Sequence, residues 1–129
     1  MAIRIAVDAM GGDRAPTVVV EGAIRAARDS DDLSILLFGP ENLIRAELDT
    51  AGFAGELPIQ IVHASEVIGM GEAPAAAVKT KQHSSIHLGL GAHKNGEAQA
   101  FVSAGNTGAV MAASLFILGR LPGVARPSV

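Results

Sequence analysis

Apolar residues recur along this chain in two spacings, as short continuous runs and as positions three or four residues apart. The short runs predict four buried strands, at residues 3–7, 34–38, 59–62 and 98–102. The wider spacing predicts amphipathic helices between them, the clearest at Val20, Ala23, Ile24 and Ala27. A last stretch, residues 109–118, is apolar throughout and of helical length. Strand and helix therefore alternate four times, with no internal repeat and no hairpin signal.

This alternation predicts an α/β fold in three layers, a Rossmann-like arrangement with a mostly parallel sheet between two layers of helices. Composition agrees, because 49% of the residues are apolar and the aromatic residues are four Phe, so the core is aliphatic as in most parallel sheets. The length of 129 residues suits one domain. Ligands of such folds bind beyond the carboxyl ends of the strands, which points to four loops: residues 8–13, 39–41, 63–72 and 103–108.

Polar residues and proline mark the expected helix boundaries. Asp13 is expected to cap the first helix, because a carboxylate accepts the unpaired N–H groups of a first turn. Pro16 is expected inside that first turn, where the missing N–H of proline costs nothing. The helical stretch 73–93 is expected to break near residues 83–85.

The segment 102–109, Val-Ser-Ala-Gly-Asn-Thr-Gly-Ala, carries the most distinctive chemistry. It leads into the apolar helix, whose first N–H groups lack partners and carry partial positive charge. Such a turn can receive a phosphate or another oxyanion. Gly105 and Gly108 are expected to adopt positive φ and approach the ligand, while Asn106 or Thr107 caps the helix or faces the ligand. A well-capped turn without a ligand is the alternative.

The loop after the first strand, Asp8-Ala-Met-Gly-Gly-Asp13, is a second candidate. Asp8 is predicted either to fold this turn through its own side chain or to face a ligand, with Gly11 and Gly12 close to it. Two carboxylates repel a phosphate unless donors or a cation intervene, so Asp8 either orients other groups or holds Mg²⁺. No ligand spacing selects a metal, and no cofactor is expected.

Two further sets of side chains are candidates that also have simpler explanations. Lys79, Lys81, Ser84 and Ser85 form a cluster of donors that can bind an anion, although each alone fits a solvated helix face. His63 lies at the end of the third strand, where it is a candidate for carrying a proton during catalysis. A purely structural role for this histidine is the alternative. The other three histidines lack a metal-binding pattern and are interpreted as surface residues: His83, His87 and His93.

Several classes of function are disfavoured. The formal net charge of −3 gives no sign of a nucleic-acid partner. The absence of cysteine excludes disulfides, thiolate metal sites and a cysteine nucleophile, and it fits a cytoplasmic protein. The sequence has neither a Walker A pattern nor Gly-x-Ser-x-Gly, which disfavours nucleotide hydrolysis and serine hydrolases. Residues 69–74 begin like a dinucleotide fingerprint but have Pro74 in place of the third glycine.

The two ends of the chain carry expectations of their own. The first residues lead directly into a strand and lack the layout of a signal peptide. The longest apolar run is too short to span a bilayer. Residues 126–129 look like the lead into another strand, and a sheet edge left open there would be prone to pairing. We therefore expect residues 1–129 to form the N-terminal part of a single, longer α/β domain.

Taken together, these motifs resemble the PlsX family, the phosphate:acyl-carrier-protein acyltransferases of bacterial phospholipid synthesis. The resemblance runs from end to end of the chain, through residues 8–13, 15–16, 22–23, 63–64, 74, 77–78, 81, 84–85, 102–109 and 126–127. It departs from the family pattern at Pro40, where aspartate is expected, and at Ile86, where methionine is usual. Neither departure touches the two long motifs, 8–13 and 102–109.

The resemblance implies a fold like that of phosphotransacetylases and of the isocitrate and isopropylmalate dehydrogenases. It implies an enzyme that transfers an acyl group from acyl carrier protein to inorganic phosphate and so makes acyl phosphate. It further implies a cytoplasmic homodimer in the full-length protein, with peripheral membrane contact through the C-terminal part. This chain covers only the N-terminal part of the family's usual length.

In such a reaction phosphate is the nucleophile, so the protein must position it and stabilise an oxyanion. The catalytic residues are then predicted to be Asp8, Lys81, Ser103 and Asn106. The residues that bind substrate or phosphate are predicted to be Gly11, Gly12, Ser84, Ser85, Gly105, Thr107 and Gly108, with His63, Asp13 and Lys79 as further candidates. Among them, Gly11 and Gly12 are expected to shape the acyl side of the site together with Asp8. Two alternatives stay open: a phosphotransacetylase acting on acyl-CoA, and a fragment that binds phosphate without catalysis.

Overall fold

The computed structural model describes residues 2–128, which form four strands and five helices, with one helix after each strand except for two after the third. The strands are β1 (Ile3–Asp8), β2 (Leu33–Gly39), β3 (Ile59–His63) and β4 (Ala100–Val102). The helices are α1 (Thr17–Asp29), α2 (Glu41–Thr50), α3 (Pro74–Thr80), α4 (Ser85–Lys94) and α5 (Thr107–Ile117). The predicted strands, the predicted α/β class and the predicted break before α4 are confirmed.

The four strands form one parallel sheet in the order β3-β2-β1-β4. The chain therefore runs outward from β1 to β3 and then returns to the other side of β1, which makes the boundary between β1 and β4 a topological switch point. Val7 pairs with Val102 across this boundary, so the residues that follow them, Asp8 and Ser103, leave the sheet side by side. Ligands of open parallel sheets bind in the crevice at such a point.

Helices cover both faces of the sheet, as three layers require. α1 and α2 pack on one face over an aliphatic core of Ala9, Val20, Ala23, Ile24, Ala27, Ile35, Leu37, Ile44 and Leu48. α4 packs on the other face, against three buried residues of β1 and β2: Ala6, Leu36 and Phe38. α3 and α5 pack against each other, and α5 also packs against α4. Within the described range, no helix combines the length and the apolar character needed to cross a bilayer.

Three predicted boundaries are wrong. Pro16 is the N-cap residue of α1 and lies just outside its first turn, because its carbonyl accepts the N–H of Val20 at 2.9 Å. Asp13 lies further back in the loop, and no side chain of the described residues caps α1. β4 begins two residues later than expected, because the N–H of Ala98 donates to the Ala92 carbonyl of α4 at 3.2 Å.

The chain after α5 is irregular. Residues 126–128 are not part of a strand, so the strand expected there is not formed by the residues that the structure describes. The last residue of that prediction, Val129, lies outside the described range.

A close contact between α4 and β4 leads to a testable prediction. A Cβ atom at Gly89 would lie 2.5 Å from Cε1 of Phe101, whereas a Cβ at Gly91 would meet nothing within 4 Å. Gly89→Ala is therefore expected to lower the free energy of unfolding by about 1–3 kcal/mol through overpacking. Gly91→Ala is the matched control and should raise it by about 0.5–1 kcal/mol, because alanine favours a helix. Urea unfolding measures both, and a Gly89→Ala variant as stable as the parent would contradict this packing.

Candidate active site

The carboxylate of Asp8 is the centre of the candidate site. It lies at the carboxyl end of β1 and is almost completely buried, with 2% of the residue exposed. Its Oδ1 accepts the N–H of Met10 at 3.0 Å and the hydroxyl of Ser85 at 2.6 Å. Its Oδ2 accepts the hydroxyl of Ser103 at 2.8 Å. One side chain thus joins the β1–α1 loop, the start of α4 and the β4–α5 loop.

These contacts account for two of the predicted roles of Asp8. The bond to Met10, two residues further on, folds the turn through the aspartate's own side chain, as predicted. The bonds from Ser85 and Ser103 confirm that Asp8 orients other groups. A role in holding Mg²⁺ stays a prediction. Residues 2–128 contain no group of three or more His, Asp or Glu side chains that could hold a metal ion.

Glycines allow the two loops to touch backbone to backbone. A Cβ atom at Gly11 would lie 2.6 Å from Oδ2 of Asp8 and 2.8 Å from the backbone nitrogen of Gly105. A Cβ atom at Gly105 would lie 3.2 Å from the Cα of Gly11. The loops therefore meet at a distance that leaves no room for a side chain at Gly11, whereas a Cβ atom at Gly105 would require its neighbours to move by a few tenths of an ångström.

The predicted positive φ angles at Gly105 and Gly108 are wrong. The positive angle in these loops belongs to Gly12, with φ of 110°. Gly108 is helical, and a Cβ atom there would lie 2.6 Å from Cγ of Pro74, the first residue of α3. Glycine is thus required at Gly108 so that the first turns of α3 and α5 can pack together.

Asn106 caps α5, which confirms one of its two predicted roles. Its Oδ1 accepts the N–H of Ala109 at 3.1 Å. Its Nδ2 donates to the carbonyls of Gly69 at 3.1 Å and Glu72 at 2.9 Å, with Met70 further away at 3.4 Å. Only 6% of Asn106 is exposed. Both polar atoms of the Asn106 amide therefore have hydrogen-bond partners within the protein. These bonds fix the start of α5 against the loop that precedes α3.

The first turn of α5 keeps the N–H groups that an anion needs. Among the hydrogen bonds of residues 2–128, none uses the N–H of Thr107 or of Gly108 as donor. Thr107 is exposed, and Ser103 beside it is half-buried. Free N–H groups and the positive end of the helix dipole together favour a bound oxyanion at this end of α5.

An ion pair beside this turn has a different role from the one predicted for its lysine. Nζ of Lys81 donates to the carbonyl of Val67 and to Oε2 of Glu72, each at 2.8 Å. The same Oε2 also accepts the N–H of Gly69. The Lys81 ammonium and this N–H hold the pKa of the Glu72 carboxyl below its usual range. Sequence reasoning missed Glu72, because its only signal was its place in a weak glycine pattern.

Of the other predicted site residues, Ser84 and Ser85 are buried and bind groups of the protein, whereas Lys79 lies on the surface. Ser84 is fully buried, and its Oγ accepts the N–H of His87 at 3.0 Å as the N-cap of α4. Ser85 is also buried, since 1% of it is exposed, and its hydroxyl is donated to Asp8. Neither hydroxyl lies on the surface. Lys79 is exposed on α3, and within the described residues no bond joins its ammonium to either serine.

His63 lies apart from the Asp8 cluster, which consists of Asp8, Met10, Ser85 and Ser103. It ends β3, which β2 separates from β1, and its Nδ1 accepts the N–H of Glu41 at 3.1 Å at the start of α2. The interpretation of the remaining histidines as surface residues holds for His83 alone. His87 and His93 are half-buried, and the ring of His93 lies 3.1 Å from the Ala98 carbonyl.

An open cleft adjoins the cluster and contains a cation that sequence reasoning missed. It has a volume of about 310 Å³ and lies between the β1–α1 loop and Ala104, next to Ser103. Gly11, Gly12 and Asp13 line it together with Arg14, whose side chain is exposed. The carboxyl edge of the sheet thus combines a buried hydrogen-bonded support, free backbone donors and an adjoining cleft.

Fold and site together define an α/β protein with unused backbone donors and an open cleft near the switch point of a parallel sheet. The model of the family described as "Fatty acid synthesis protein" matches residues 3–129, and the chain belongs to this family. The resemblance to the PlsX family is thereby confirmed.

Individual relatives agree with this family. The chain is 60% identical to the phosphate acyltransferase of Salinibacter ruber, over 99% of the chain and 38% of that protein. It is 50% identical to the phosphate acyltransferase of Koribacter versatilis, over 100% of the chain and 36% of that protein. It is 54% identical to the one from Chlorobaculum parvum, over 98% of the chain and 37% of that protein. The chain therefore spans less than two fifths of the length of these related enzymes.

Replacing Asp8 tests the role of the buried carboxylate. Asp8→Asn puts an amide nitrogen among groups that donate, so it is expected to lower the free energy of unfolding by about 1–3 kcal/mol. Asp13→Asn is the matched control on the same loop and is expected to change it by less than about 0.5 kcal/mol, because Asp13 is exposed. Guanidinium unfolding compares the two variants. Equal effects would contradict the central role of Asp8.

The ion pair at Glu72 predicts a dependence on pH. Because the pKa of Glu72 is lower in the folded protein than its ordinary 4.5, its contribution to stability is complete above that pH. The contribution is lost as the pH falls through the lowered pKa. In an NMR titration, the amide resonance of Gly69 is expected to move below pH 4.5, and Glu72→Gln should abolish the transition. A midpoint at or above 4.5 would contradict the ion pair.

Proposed function

We propose that this chain forms the phosphate-binding part of an acyltransferase. The enzyme transfers a fatty acyl group from acyl carrier protein to inorganic phosphate, and the acyl phosphate then serves phospholipid synthesis. Membership of the family and the names of the relatives support an acyltransferase. The observation that carries the phosphate site is the pair of unused N–H groups at Thr107 and Gly108, at the end of a loop that Asp8 holds through Ser103.

The chemistry requires positioning more than a protein nucleophile. A phosphate oxygen attacks the thioester carbonyl carbon, a C–O bond forms, and the C–S bond breaks as the carrier thiol leaves. The proton of hydrogen phosphate ends on the departing thiolate, which needs little acid assistance because a thiol has a pKa of roughly 8.5. The protein contributes by holding the phosphate close to the thioester and by stabilising the oxyanion that develops on its carbonyl.

The geometry suggests two kinds of residue for this task. In this proposal the unused N–H groups of Thr107 and Gly108 bind phosphate, and the cleft beside Gly11 and Gly12 leaves room for the acyl thioester. The hydroxyl of Ser103 is already donated to Asp8, so Ser103 supports the loop. The remaining predicted residues act through other groups. Asp8 and Ser85 hold Ser103, Ser84 holds α4, and Asn106 and Lys81 hold the loop in front of α3.

The proposal also includes the substrates, the oligomeric state and the cellular location of the complete protein. Acyl carrier protein and inorganic phosphate are the substrates. The complete protein is a cytoplasmic homodimer that makes peripheral membrane contact through residues C-terminal to this chain. Nucleic acid is not a partner, in line with the net charge of −3.

A chimera tests this function. The chain replaces its matching segment in the Salinibacter ruber phosphate acyltransferase, and the parent enzyme and the isolated chain are assayed beside it. With acyl-acyl-carrier-protein and phosphate, the chimera is expected to form acyl phosphate within about tenfold of the parent rate, since a tenfold change reflects a small difference in barrier. The isolated chain is expected to form none. Acyl phosphate is trapped and measured as the hydroxamate.

The other outcomes separate the alternatives. A chimera that uses acyl-CoA and refuses the carrier-protein thioester would favour a phosphotransacetylase-like enzyme. A chimera inactive with both thioesters, beside an active parent, would contradict the proposal. Product from the isolated chain would show that these loops hold the complete catalytic site.

A further inference from the structure

We propose that Glu72 is a positioning residue for the phosphate site, and that it acts through Asn106 on the first turn of α5. This inference rests on the proposed function and deepens it. Glu72 touches neither α5 nor the Asp8 cluster with its side chain in the bonds of residues 2–128, so its influence has to pass through intermediate contacts.

The first contacts close the loop in front of α3. Oε2 of Glu72 accepts the N–H of Gly69 from three residues earlier and the Nζ of Lys81 at 2.8 Å. Lys81 also donates to the Val67 carbonyl at 2.8 Å, which ties the far side of the same loop. Residues 67–72 are thus folded around one carboxylate and one ammonium, whose side chains are 36% and 31% exposed.

The second contacts pass from this loop to α5. The carbonyls of Gly69, Met70 and Glu72 all point at Nδ2 of Asn106, at 3.1, 3.4 and 2.9 Å. Three acceptors around one side of the amide allow only its NH₂ group to face them, since a carbonyl oxygen would repel them. The Oδ1 must therefore face the other way, where it accepts the N–H of Ala109. The loop decides the orientation of the helix cap.

The cap in turn directs the free donors. Asn106 is the N-cap of α5, so its position sets where the N–H groups of Thr107 and Gly108 point. A second route leads to the same turn, because Pro74 follows Glu72 by two residues and lies against Gly108. Release of the Glu72 carboxylate from its partners would thus loosen the phosphate donors from both sides.

The same contacts explain why Lys81 is not needed as a direct ligand. Its ammonium is matched by the Glu72 carboxylate and a backbone carbonyl, so the pair presents little net charge to an incoming phosphate. The donors that face the ligand are then neutral backbone N–H groups with fixed directions. For such donors the orientation matters more than the charge of the surroundings.

Glu66 offers a matched control for the experiment. It lies on the same stretch of chain, its side chain is also 36% exposed, and its Oε1 accepts the N–H of His83 at 3.0 Å. In the described residues it has no side-chain bond to the loop 69–72 or to Asn106. Glu72→Gln and Glu66→Gln therefore remove the same charge from similar surroundings, and Glu72→Gln alone disturbs the contacts to α5.

The experiment measures two properties of the 129-residue chain. Calorimetry gives the dissociation constant for inorganic phosphate, and NMR gives the Asn106 side-chain NH₂ and Ala109 amide resonances without phosphate. Glu72→Gln is expected to weaken phosphate binding about tenfold and to shift these resonances, because a charge-assisted hydrogen bond is lost. Glu66→Gln is expected to change the constant less than about twofold and to leave the resonances in place. Lys81→Met is the second variant, and it is expected to weaken phosphate binding and to shift the same resonances as Glu72→Gln does.

Several results would overturn the proposal. If Glu72 has only a structural role, Glu72→Gln will lower the midpoint of unfolding but leave the dissociation constant for phosphate and the Asn106 resonances unchanged. If Glu66→Gln weakens phosphate binding as much as Glu72→Gln does, the loss of a negative charge explains the effect without the contacts to Asn106. If the parent chain binds no phosphate, the phosphate site of the proposed function fails. The link from Glu72 to Asn106 is then decided by the resonances, which support it if they move in Glu72→Gln and refute it if they do not.

Discussion

Burial of the Asp8 carboxylate is the constraint on which the candidate site depends. A carboxylate with 2% exposure is tolerated in a protein interior only when donors satisfy its oxygens. The three donors come from three separate parts of the chain, at Met10, Ser85 and Ser103. The protein therefore cannot bury this charge without bringing the β1–α1 loop, α4 and the β4–α5 loop together. The contacts that satisfy the buried carboxylate are thus the same contacts that assemble the candidate site.

The position of α5 makes the second set of contacts necessary. α5 packs on α3 and α4. Packing of its apolar face fixes the axis of the helix but leaves its first turn to be aligned locally. Asn106 provides this alignment by joining that turn to the loop closed by Glu72 and Lys81. Directed N–H donors at the sheet edge thus depend on side-chain amide and carboxylate contacts as much as on the hydrophobic core.

Local features of the fold and site could be predicted from the sequence because their causes lie within a few residues. Periodicity of apolar positions located every strand, the Asp8 turn depends on a group two residues away, and the Asn106 cap on one three residues away. The bond from Ser85 to Asp8 spans 77 residues and requires the strand order, which periodicity does not contain. For the same reason, the sequence does not reveal the contact between Gly108 and Pro74, which explains the need for glycine at that position.

Charged residues were the hardest to assign, because their partners decide their roles. Taken alone, Lys81 is typical of a phosphate ligand. Its ion pair with Glu72 indicates that it stabilises the loop in front of α3 instead. Asp13 looked like a helix cap because it precedes α1, yet Pro16 stands at that position. The partner of Lys81 lies nine residues away along the chain, outside the helical spacings at which a sequence pattern pairs residues.

A backbone-amide NMR titration of the 129-residue chain with inorganic phosphate tests the central claim most directly, with chloride at matched ionic strength as the reference. The account predicts saturable shifts that are largest at residues 103–108, above all at Thr107 and Gly108. Shifts confined to other parts of the chain, or equal shifts with chloride, would contradict a phosphate site at the start of α5.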